Sequence, residues 1–392
     1  MSLLSSLKAP RVSRQPTDIT GLPRVLIDGY FLDRPYGFGR YVRELISAID
    51  RWLPDIEPVL VVPTEATELA QRLTARTRIV SRTRRVFPLW EQITIPEVAY
   101  RTRCQLVHFP YQTASVLWST RASVVTIHDI MFLRPMKRRA KFTDVAAHSY
   151  RQLLFKWHTK HASELVAVSD STAKELADTI HLNSTIIYNV CDSFIELNKD
   201  TAPATENAAF FLHRGHWGAH KNTRRVVEAF ARVRQAHPEV MLLVYGVGPE
   251  DVRLRGLPTD GVQLLGKISD TRLASLCKSA VAVLVPSIVE GFGLAIIESF
   301  GFGTAVLTSN IPPMSDIAGE AAVTVDPTDV GQIAEAMGRL LVDIEFRQDV
   351  SRKGAERYRH YSAHNVAARL AVVYRRALVN TRFGSKPTQR GS

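Results

Sequence analysis

A repeated alternation of short apolar runs with amphipathic segments constrains the fold of this chain more than any other feature. It occurs twice in the 392 residues, and such alternation is typical of β-α units that stack on a parallel sheet. Between the two blocks, the polar stretch 193–207 predicts a linker. Two domains also fit the length, because one domain usually contains roughly 100 to 200 residues. The predicted strands are 24–32, 59–62, 105–109, 123–127, 164–168, 185–189, 209–213, 240–245, 262–265, 281–285, 305–308 and 322–325.

Several segments between these strands predict helices. Apolar residues in 41–53 recur at helical spacing, and a further helix is expected to begin near Ser169, whose hydroxyl can cap exposed amides. The tail 362–378 predicts a last amphipathic helix. The expected fold class is α/β, with two Rossmann-like doubly wound parallel-sheet domains that face each other across a cleft. We assign 1–195 to the N-terminal domain and 205–360 to the C-terminal domain, and we expect the last helix to pack back on the former.

The net charge of +12 is concentrated in one stretch of the chain. Residues 71–160 contain 17 Lys or Arg and four Asp or Glu, with basic clusters at 82–85 and 137–141. A basic surface of this kind attracts polyanions such as acidic lipid headgroups or nucleic acid. No nucleic-acid-binding motif accompanies the charge, so we favour an anionic membrane surface or an anionic acceptor and expect no nucleic acid partner. A solvated surface without a partner is the alternative.

The apolar runs and the cysteines of the chain indicate in which compartment the protein works and whether it contains disulfides or zinc. No apolar run approaches the ~18 residues that span a bilayer, and the first residues lack the long apolar core of a secretory signal. We therefore expect a cytoplasmic protein, which the basic stretch could hold at the inner face of the membrane. Cys104, Cys191 and Cys277 lie far apart and form no C-x-x-C pattern, so they predict buried apolar residues rather than a disulfide framework or a zinc site.

The strongest local signal is the segment 286–298, Pro-Ser-Ile-Val-Glu-Gly-Phe-Gly-Leu-Ala-Ile-Ile-Glu. It predicts a buried strand that leads through a glycine-containing loop into a helix, whose first amides can hold a phosphate. Glu290 and Glu298 lie eight positions apart, about 80° around a regular helix at ~100° per residue, so both carboxylates can face one cleft. Carboxylates accept strong hydrogen bonds from sugar hydroxyls. Two solvated glutamates near a helix start are the alternative.

This segment resembles the hallmark of the retaining glycosyltransferases with the GT-B fold, of the family 4 or group 1 type that includes bacterial polysaccharide mannosyltransferases. That hallmark is a glutamate pair separated by seven residues around a Gly-Phe-Gly segment. The resemblance implies that Glu290 contacts hydroxyls of the donor sugar and that Glu298 contacts the ribose of the nucleotide. It also implies that the backbone amides of Phe292, Gly293 and Leu294 hold the diphosphate.

A second part of the same family pattern is present upstream. Leu212-His-Arg-Gly215 and His220-Lys221-Asn222 resemble a glycine after the first strand of the second domain and a following Arg-Lys-Asn. In the family, the basic pair neutralises the diphosphate leaving group. Lys221 matches, whereas His220 replaces the arginine. A histidine is charged only when protonated and makes no bidentate fork, so we expect a weaker leaving-group site or assistance from Arg214 beside Gly215.

The N-terminal half contributes two further elements. Tyr36-Gly37-Phe-Gly39-Arg40-Tyr41 resembles the family's glycine loop, where the diphosphate and the acceptor approach bare backbone. Without the resemblance this spacing is a weak signal. Val42 stands where a dinucleotide fingerprint has its third glycine, so no nicotinamide cofactor is expected.

His128 and Asp129 follow an apolar strand directly. His128 resembles the family's active-site histidine, which contacts the donor sugar near the reacting carbon, and Asp129 is expected to orient the loop. A structural histidine at a strand end is the alternative. Ser169 resembles a Val-Ser turn and is explained equally well as a helix cap, and Asn189 resembles an Asn-x-Val element to which we assign a mainly structural role.

The resemblance implies transfer of a hexose, with mannose favoured, from a GDP- or UDP-linked donor to a glycan or lipid-linked acceptor in polysaccharide or lipopolysaccharide synthesis. The donor is a substrate, and no cofactor is expected. No Asp-x-Asp, His-Glu-x-x-His or Walker motif occurs, so no metal site is expected. A sugar-nucleotide 2-epimerase, an inactive nucleotide-sugar-binding scaffold and a basic nucleic-acid-binding protein are the alternatives.

Overall fold

The computed structural model describes residues 21–35, 37–133, 142–215, 219–248 and 256–382. These residues form two parallel sheets. The strands are β1 Arg24–Asp28, β2 Glu57–Pro63, β3 Arg78–Arg82, β4 Leu106–Phe109, β5 Ala122–Ile127, β6 Glu164–Ala167, β7 Thr185–Ile186, β8 Phe210–Arg214, β9 Met241–Tyr245, β10 Val262–Gly266, β11 Ala282–Val285, β12 Val306–Ser309 and β13 Val323–Val325. Their spatial orders are β3-β2-β1-β4-β5-β6-β7 and β10-β9-β8-β11-β12-β13.

Helices connect the strands and cover the faces of both sheets. Short 3-10 turns, among them Val116–Trp118 and Ala219–Lys221, complete the connections, and a π-helical turn at Trp90–Thr94 joins α3 to α4. The helices are α1 Phe38–Trp52, α2 Thr67–Leu73, α3 Phe87–Leu89, α4 Ile95–Arg101, α5 Phe142–His161, α6 Asp170–Ile180, α7 Asp192–Leu197, α8 Thr223–Ala236, α9 Asp270–Ser279, α10 Leu294–Gly301, α11 Met314–Ala318, α12 Val330–Val342, α13 Ile344–Tyr358 and α14 Ala363–Arg382.

The predicted α/β fold class is confirmed, since both strand orders are those of doubly wound sheets. Every predicted strand region contains an observed strand. Their apolar runs are buried by helices on both faces, as in most parallel sheets. Sequence analysis missed β3, whose sequence Arg-Ile-Val-Ser-Arg carries arginine at both ends. This strand lies at the sheet edge and is only half-buried, so it needs few apolar residues.

Part of the predicted linker is helical. Residues 193–197 belong to α7, and the rest of the stretch, 198–207, contains no helix or strand. The carboxylate of Glu44, on α1, accepts hydrogen bonds of 2.9 Å from the backbone amides of both Ser193 and Phe194. This remote carboxylate caps the start of α7, and a polar composition alone could not indicate it.

The last helix, α14, packs against α1 and β5 of the first sheet. Leu370, Val373 and Tyr374 belong to the apolar core of that sheet, and the Tyr374 hydroxyl lies 2.7 Å from Nδ1 of His108. The chain therefore returns to its N-terminal half after completing the second sheet. Among the described residues, no helix combines the length and the apolar character needed to cross a lipid bilayer.

Candidate active site

A cavity of about 240 Å³ lies between the two sheets, where the loops that follow β1, β5, β8 and β11 meet. Ligands of doubly wound sheets bind beyond the carboxyl ends of the strands, and this cavity occupies that position for both sheets. Its walls are formed by Gly37, Phe38, Tyr41, His128, Asp129, Val168, Asn189, Arg214, His220, Lys221, Glu290, Gly291, Phe292, Gly293 and Leu294. Of the predicted catalytic and substrate-binding residues, Gly39, Arg40, Gly215 and Glu298 do not line it.

Lys221 and Glu290 form an ion pair in the wall of the cavity. The ammonium of Lys221 donates to Oε1 of Glu290, and the Ser287 hydroxyl donates to the same oxygen at 3.0 Å. Burial raises the pKa of the Glu290 carboxyl, but Lys221 and Arg214 outweigh burial and hold this pKa below its ordinary value. Burial also lowers the pKa of the Lys221 ammonium, which Glu290 offsets only in part. The cavity therefore presents an ionised carboxylate beside an ammonium.

Arg214, rather than His220, supplies the second cation of the cavity. Burial and the neighbouring Lys221 ammonium lower the pKa of the His220 ring below its ordinary 6.5, so this ring is neutral at pH 7. The backbone carbonyl of His220 accepts a hydrogen bond of 2.7 Å from the amide of Ile288. Arg214 ends β8 and lines the same cavity with its guanidinium.

The start of α10 points its amides toward the cavity wall. Phe292, Gly293 and Leu294 line the cavity, and α10 begins at Leu294 after Gly293, whose φ of +107° favours glycine. The first turn of α10 contains no acidic residue. The first amides of α10, which no side chain caps, and the helix dipole therefore present partial positive charge that can hold a phosphate.

The two domains touch through Gly291 and His128. A Cβ atom on Gly291 would overlap the backbone carbonyl oxygen of His128, so only glycine permits this close approach. The Ser169 hydroxyl donates to the Gly291 carbonyl at 3.0 Å, and the Thr172 hydroxyl donates to the His128 carbonyl at 3.2 Å. Ser169 also caps α6 by accepting from the amide of Thr172, so it is both a helix cap and an interdomain contact.

His128 is a neutral residue in the cavity wall. Its Nε2 lies 2.9 Å from the carbonyl oxygen of Pro110, which can only accept, so Nε2 carries the proton. Burial lowers the pKa of this histidine to about 4. The ring packs edge to face against Phe38 and Tyr41, at centroid distances of 4.9 and 4.6 Å. The adjacent Asp129 lines the cavity as well, and Gln112 Nε2 lies 3.4 Å from its carboxylate.

Arg40 and Glu298 lie together outside the cavity wall. Arg40 is buried, with Nη2 2.8 Å from the carboxylate of Asp270 and Nε 3.3 Å from the carboxylate of Glu298. Its guanidinium also lies 3.6 Å from the centre of the Phe194 ring. Burial raises the pKa of the Glu298 carboxyl, although Arg40 and Arg214 oppose the rise. Both predicted residues therefore face each other rather than the cavity.

The glycines of the two predicted loops have different roles. Gly37 precedes α1 with a φ of +59° and has open space around its Cα, whereas a Cβ on Gly39 would overlap the carbonyl oxygen of Arg34. A Cβ on Gly215 would overlap the side chain of Val247. Gly39 and Gly215 thus allow close packing of the chain. Tyr36 and the basic cluster 137–141 lie outside the described residues.

Asn189 is a cavity residue for which sequence analysis expected a structural role. It is only 4% exposed and lines the cavity, and its Oδ1 has no hydrogen-bond partner among the described residues. A buried amide oxygen without a partner is uncommon and calls for an explanation such as a ligand. Its place just after β7, at the carboxyl edge of the first sheet, was the available signal.

Groups of three or more His, Cys, Asp or Glu side chains that could hold a metal ion do not occur in the part of the chain that the structure describes. Cys104, Cys191 and Cys277 are free and buried, which confirms their expected apolar role.

Both halves of the chain match families of glycosyltransferases. Residues 35–193 match the family Glycosyltransferase Family 4, and residues 194–357 match Glycosyl transferases group 1. O-antigen chain mannosyltransferase B of Escherichia coli is 27% identical over 42% of this chain and 45% of its own length. Glycogen synthase of Mycobacterium tuberculosis (strain CDC 1551 / Oshkosh) is 26% identical over 65% of this chain and 69% of its own. The alignment with the E. coli protein thus spans less than half of that protein.

A solved structure has a similar fold over most of this chain. Sucrose-phosphate synthase from Thermosynechococcus elongatus superimposes with a TM-score of 0.68 at 18% identity, covering 91% of this chain and 99% of that chain. This likeness concerns the fold, and it agrees with the predicted GT-B architecture of two Rossmann-like domains.

Proposed function

We propose that the protein is a retaining, metal-independent hexosyltransferase, on the premise that its two domains match the families Glycosyltransferase Family 4 and Glycosyl transferases group 1. The observation that carries this proposal is the meeting of Glu290, Lys221, Arg214 and the start of α10 in one cavity between the sheets. A hydroxyl-binding carboxylate then lies beside groups that hold a diphosphate. A nucleotide diphosphate sugar contains both of these parts.

The leaving group is the part of the reaction that needs the cations. When the bond between the sugar and the diphosphate breaks, negative charge develops on the phosphate oxygens, and fixed positive groups stabilise it. Lys221, Arg214 and the amides at the start of α10 supply such groups. Glu290 then accepts hydrogen bonds from hydroxyls of the donor sugar. In this proposal Glu298 binds the ribose once it separates from Arg40.

The retaining mechanism that we propose needs no protein base. The acceptor hydroxyl forms its bond to the anomeric carbon on the face that the diphosphate leaves, and the departing phosphate oxygen takes the hydroxyl proton. His128 agrees with this route, because its Nε2 proton is held by the Pro110 carbonyl and its low pKa keeps the ring neutral. The donor is consumed as a substrate, and the proposal includes no cofactor.

The name of the E. coli relative and the resemblance of the cleft residues favour mannose as the transferred sugar and polysaccharide or lipopolysaccharide synthesis as the setting. The acceptor is a glycan or a lipid-linked glycan that binds against the N-terminal domain. We favour this transferase over a nucleotide-sugar-binding scaffold, because the scaffold hypothesis rested on His220 and the cavity already has Arg214 as its second cation.

Nucleotide release from GDP- and UDP-sugars, with and without a lipid-extract acceptor, tests the proposal. Lys221→Met and Glu290→Gln are each expected to lower acceptor-dependent release by on the order of a hundredfold. Lys353→Met serves as the control, because Lys353 forms an exposed ion pair with Asp349 on α13. Binding of nucleotide without transfer of sugar would favour the scaffold. Turnover of the donor without an acceptor would favour the 2-epimerase.

A further inference from the structure

A row of exposed apolar side chains covers one side of the helical segment 87–101. Val86 is 65% exposed, Leu89 48%, Ile93 43% and Tyr100 71%. Leu117, which is 70% exposed, lies beside them, because the amide of the neighbouring Val116 donates to the side chain of Gln92 at 2.8 Å. We call these five exposed residues the apolar face. Trp90, Ile95 and Val98 on the opposite side of the same segment are completely buried, so the segment is amphipathic.

Exposed arginines lie within four positions of residues of the apolar face in the sequence. Arg85, Arg103 and Arg121 are all exposed. Glu91 is buried and accepts hydrogen bonds of 2.5 Å from the hydroxyls of Thr113 and Tyr150, so its carboxylate lies inside the domain and not on this surface.

The two other described acidic side chains of the basic stretch do not balance this charge. Glu97 lies 3.3 Å from Arg101 in an ion pair, and Asp129 lines the cavity. The three exposed arginines therefore provide positive charge beside the apolar face, which attracts anionic headgroups.

Aromatic rings connect the apolar face to the reaction cavity. Phe87, next to Val86, stacks on Phe31 at a centroid distance of 5.3 Å. Phe31 lies 5.7 Å from Phe38, and Phe38 lines the cavity. Ring contacts within one domain thus link the segment that carries the apolar face to the cavity wall.

We infer that the apolar face docks the N-terminal domain on an anionic lipid bilayer. Its aliphatic side chains and Tyr100 enter the boundary between headgroups and acyl chains, and the arginines bind the headgroups. This inference rests on the proposed function, because docking would bring the cavity close to lipid-linked acceptors in the membrane. Exposed apolar residues beside a basic rim fit a lipid surface better than nucleic acid, which would require polar or base-stacking contacts.

Co-sedimentation with phosphatidylcholine vesicles, with and without phosphatidylglycerol, tests the inference on the full chain. The native protein is expected to bind the anionic vesicles. The triple variant Val86→Ser/Leu89→Ser/Ile93→Ser is expected to bind them about tenfold less. The matched control is Val342→Ser/Ile344→Ser/Val372→Ser, which replaces equally exposed aliphatic residues elsewhere, and it should bind as the native protein does.

Two outcomes would overturn the inference. One is that binding to anionic vesicles falls equally in both triple variants, or that it falls in neither variant. The other is that the native protein does not bind anionic vesicles, whether or not it binds duplex DNA. Nucleotide binding, measured by titration calorimetry, separates a failure of the docking surface from a failure of the proposed function. No residue of the apolar face lines the cavity, so the native protein and both triple variants should bind nucleotide equally well. Vesicle binding without any sugar transfer would leave the docking surface standing and refute the transferase.

Discussion

Arg40 of the first domain and Glu298 of the second form a buried interdomain ion pair, with Arg40 Nε 3.3 Å from Glu298 Oε1. Asp270 binds the same guanidinium at 2.8 Å. Arg40 therefore pairs with the Glu298 carboxylate, which the family resemblance expects to bind the ribose of the nucleotide. In that case, Arg40 and Glu298 have to separate before Glu298 can bind the ribose.

Arg40→Met is expected to strengthen nucleotide binding about tenfold, because a closed state that competes with the nucleotide becomes less populated. It should also lower the melting temperature, since it leaves the buried Glu298 without this partner and removes the 2.8 Å contact to the partly exposed Asp270. Titration calorimetry and thermal unfolding measure the two effects. Arg24→Met, which removes an exposed partner of Glu57, is the control. Weaker nucleotide binding in Arg40→Met would instead make Arg40 a ligand of the nucleotide.

Burial of Glu91 is expected to make stability depend on pH. Its pKa is raised from the ordinary 4.5 to about 7 by burial, so the folded state binds the proton more tightly than the unfolded state does. The stabilisation is complete below pH 4.5 and is lost as the pH rises through 7. Glu91→Gln resembles the protonated acid, so its free energy of unfolding should fall less between pH 5 and pH 8, by roughly 3 kcal/mol at most.

Urea unfolding at several pH values measures this difference. Glu68→Gln, at an exposed position on α2, should follow the native pH dependence. Identical pH profiles for the native protein and Glu91→Gln would show that Glu91 does not titrate in this range.

Asn189→Ala is expected to lower sugar transfer without lowering stability. The amide oxygen of Asn189 has no hydrogen-bond partner among the described residues, so the substitution removes no described acceptor contact of the folded protein. A substrate hydroxyl that binds this amide would lose one hydrogen bond, or about three- to tenfold in kcat/KM. Asn198→Ala is the contrasting variant, because Asn198 donates to the Phe194 carbonyl at 2.8 Å and its loss should destabilise the fold. Destabilisation in Asn189→Ala with unchanged kcat/KM would assign Asn189 a structural role.

Gly291→Ala is expected to disturb the contact between the domains. Its new methyl group would overlap the His128 carbonyl, which belongs to the backbone and cannot rotate away. We expect about 1–3 kcal/mol of destabilisation together with a loss of transfer activity. Gly338→Ala, where no atom lies within 4 Å of the new methyl group, should instead stabilise α12 by about 0.5–1 kcal/mol. Full activity in Gly291→Ala would mean that the reaction does not need this close approach.

The sequence by itself determined the two-domain α/β fold, the described strands except β3, and the strand-loop-helix segment around Glu290, because apolar runs and glycine turns are local signals. Only the tertiary structure decided how distant residues meet. Arg40 reaches Glu298 across 258 positions, and Glu44 caps a helix that begins 148 positions later at Asp192. Such pairings leave no periodic pattern in the chain. Which residue supplies the second cation of the cavity likewise depends on burial. Burial lowers the pKa of His220 and leaves its ring neutral, so Arg214 supplies this cation. Burial and distance belong to the folded chain, so no linear motif could have shown them.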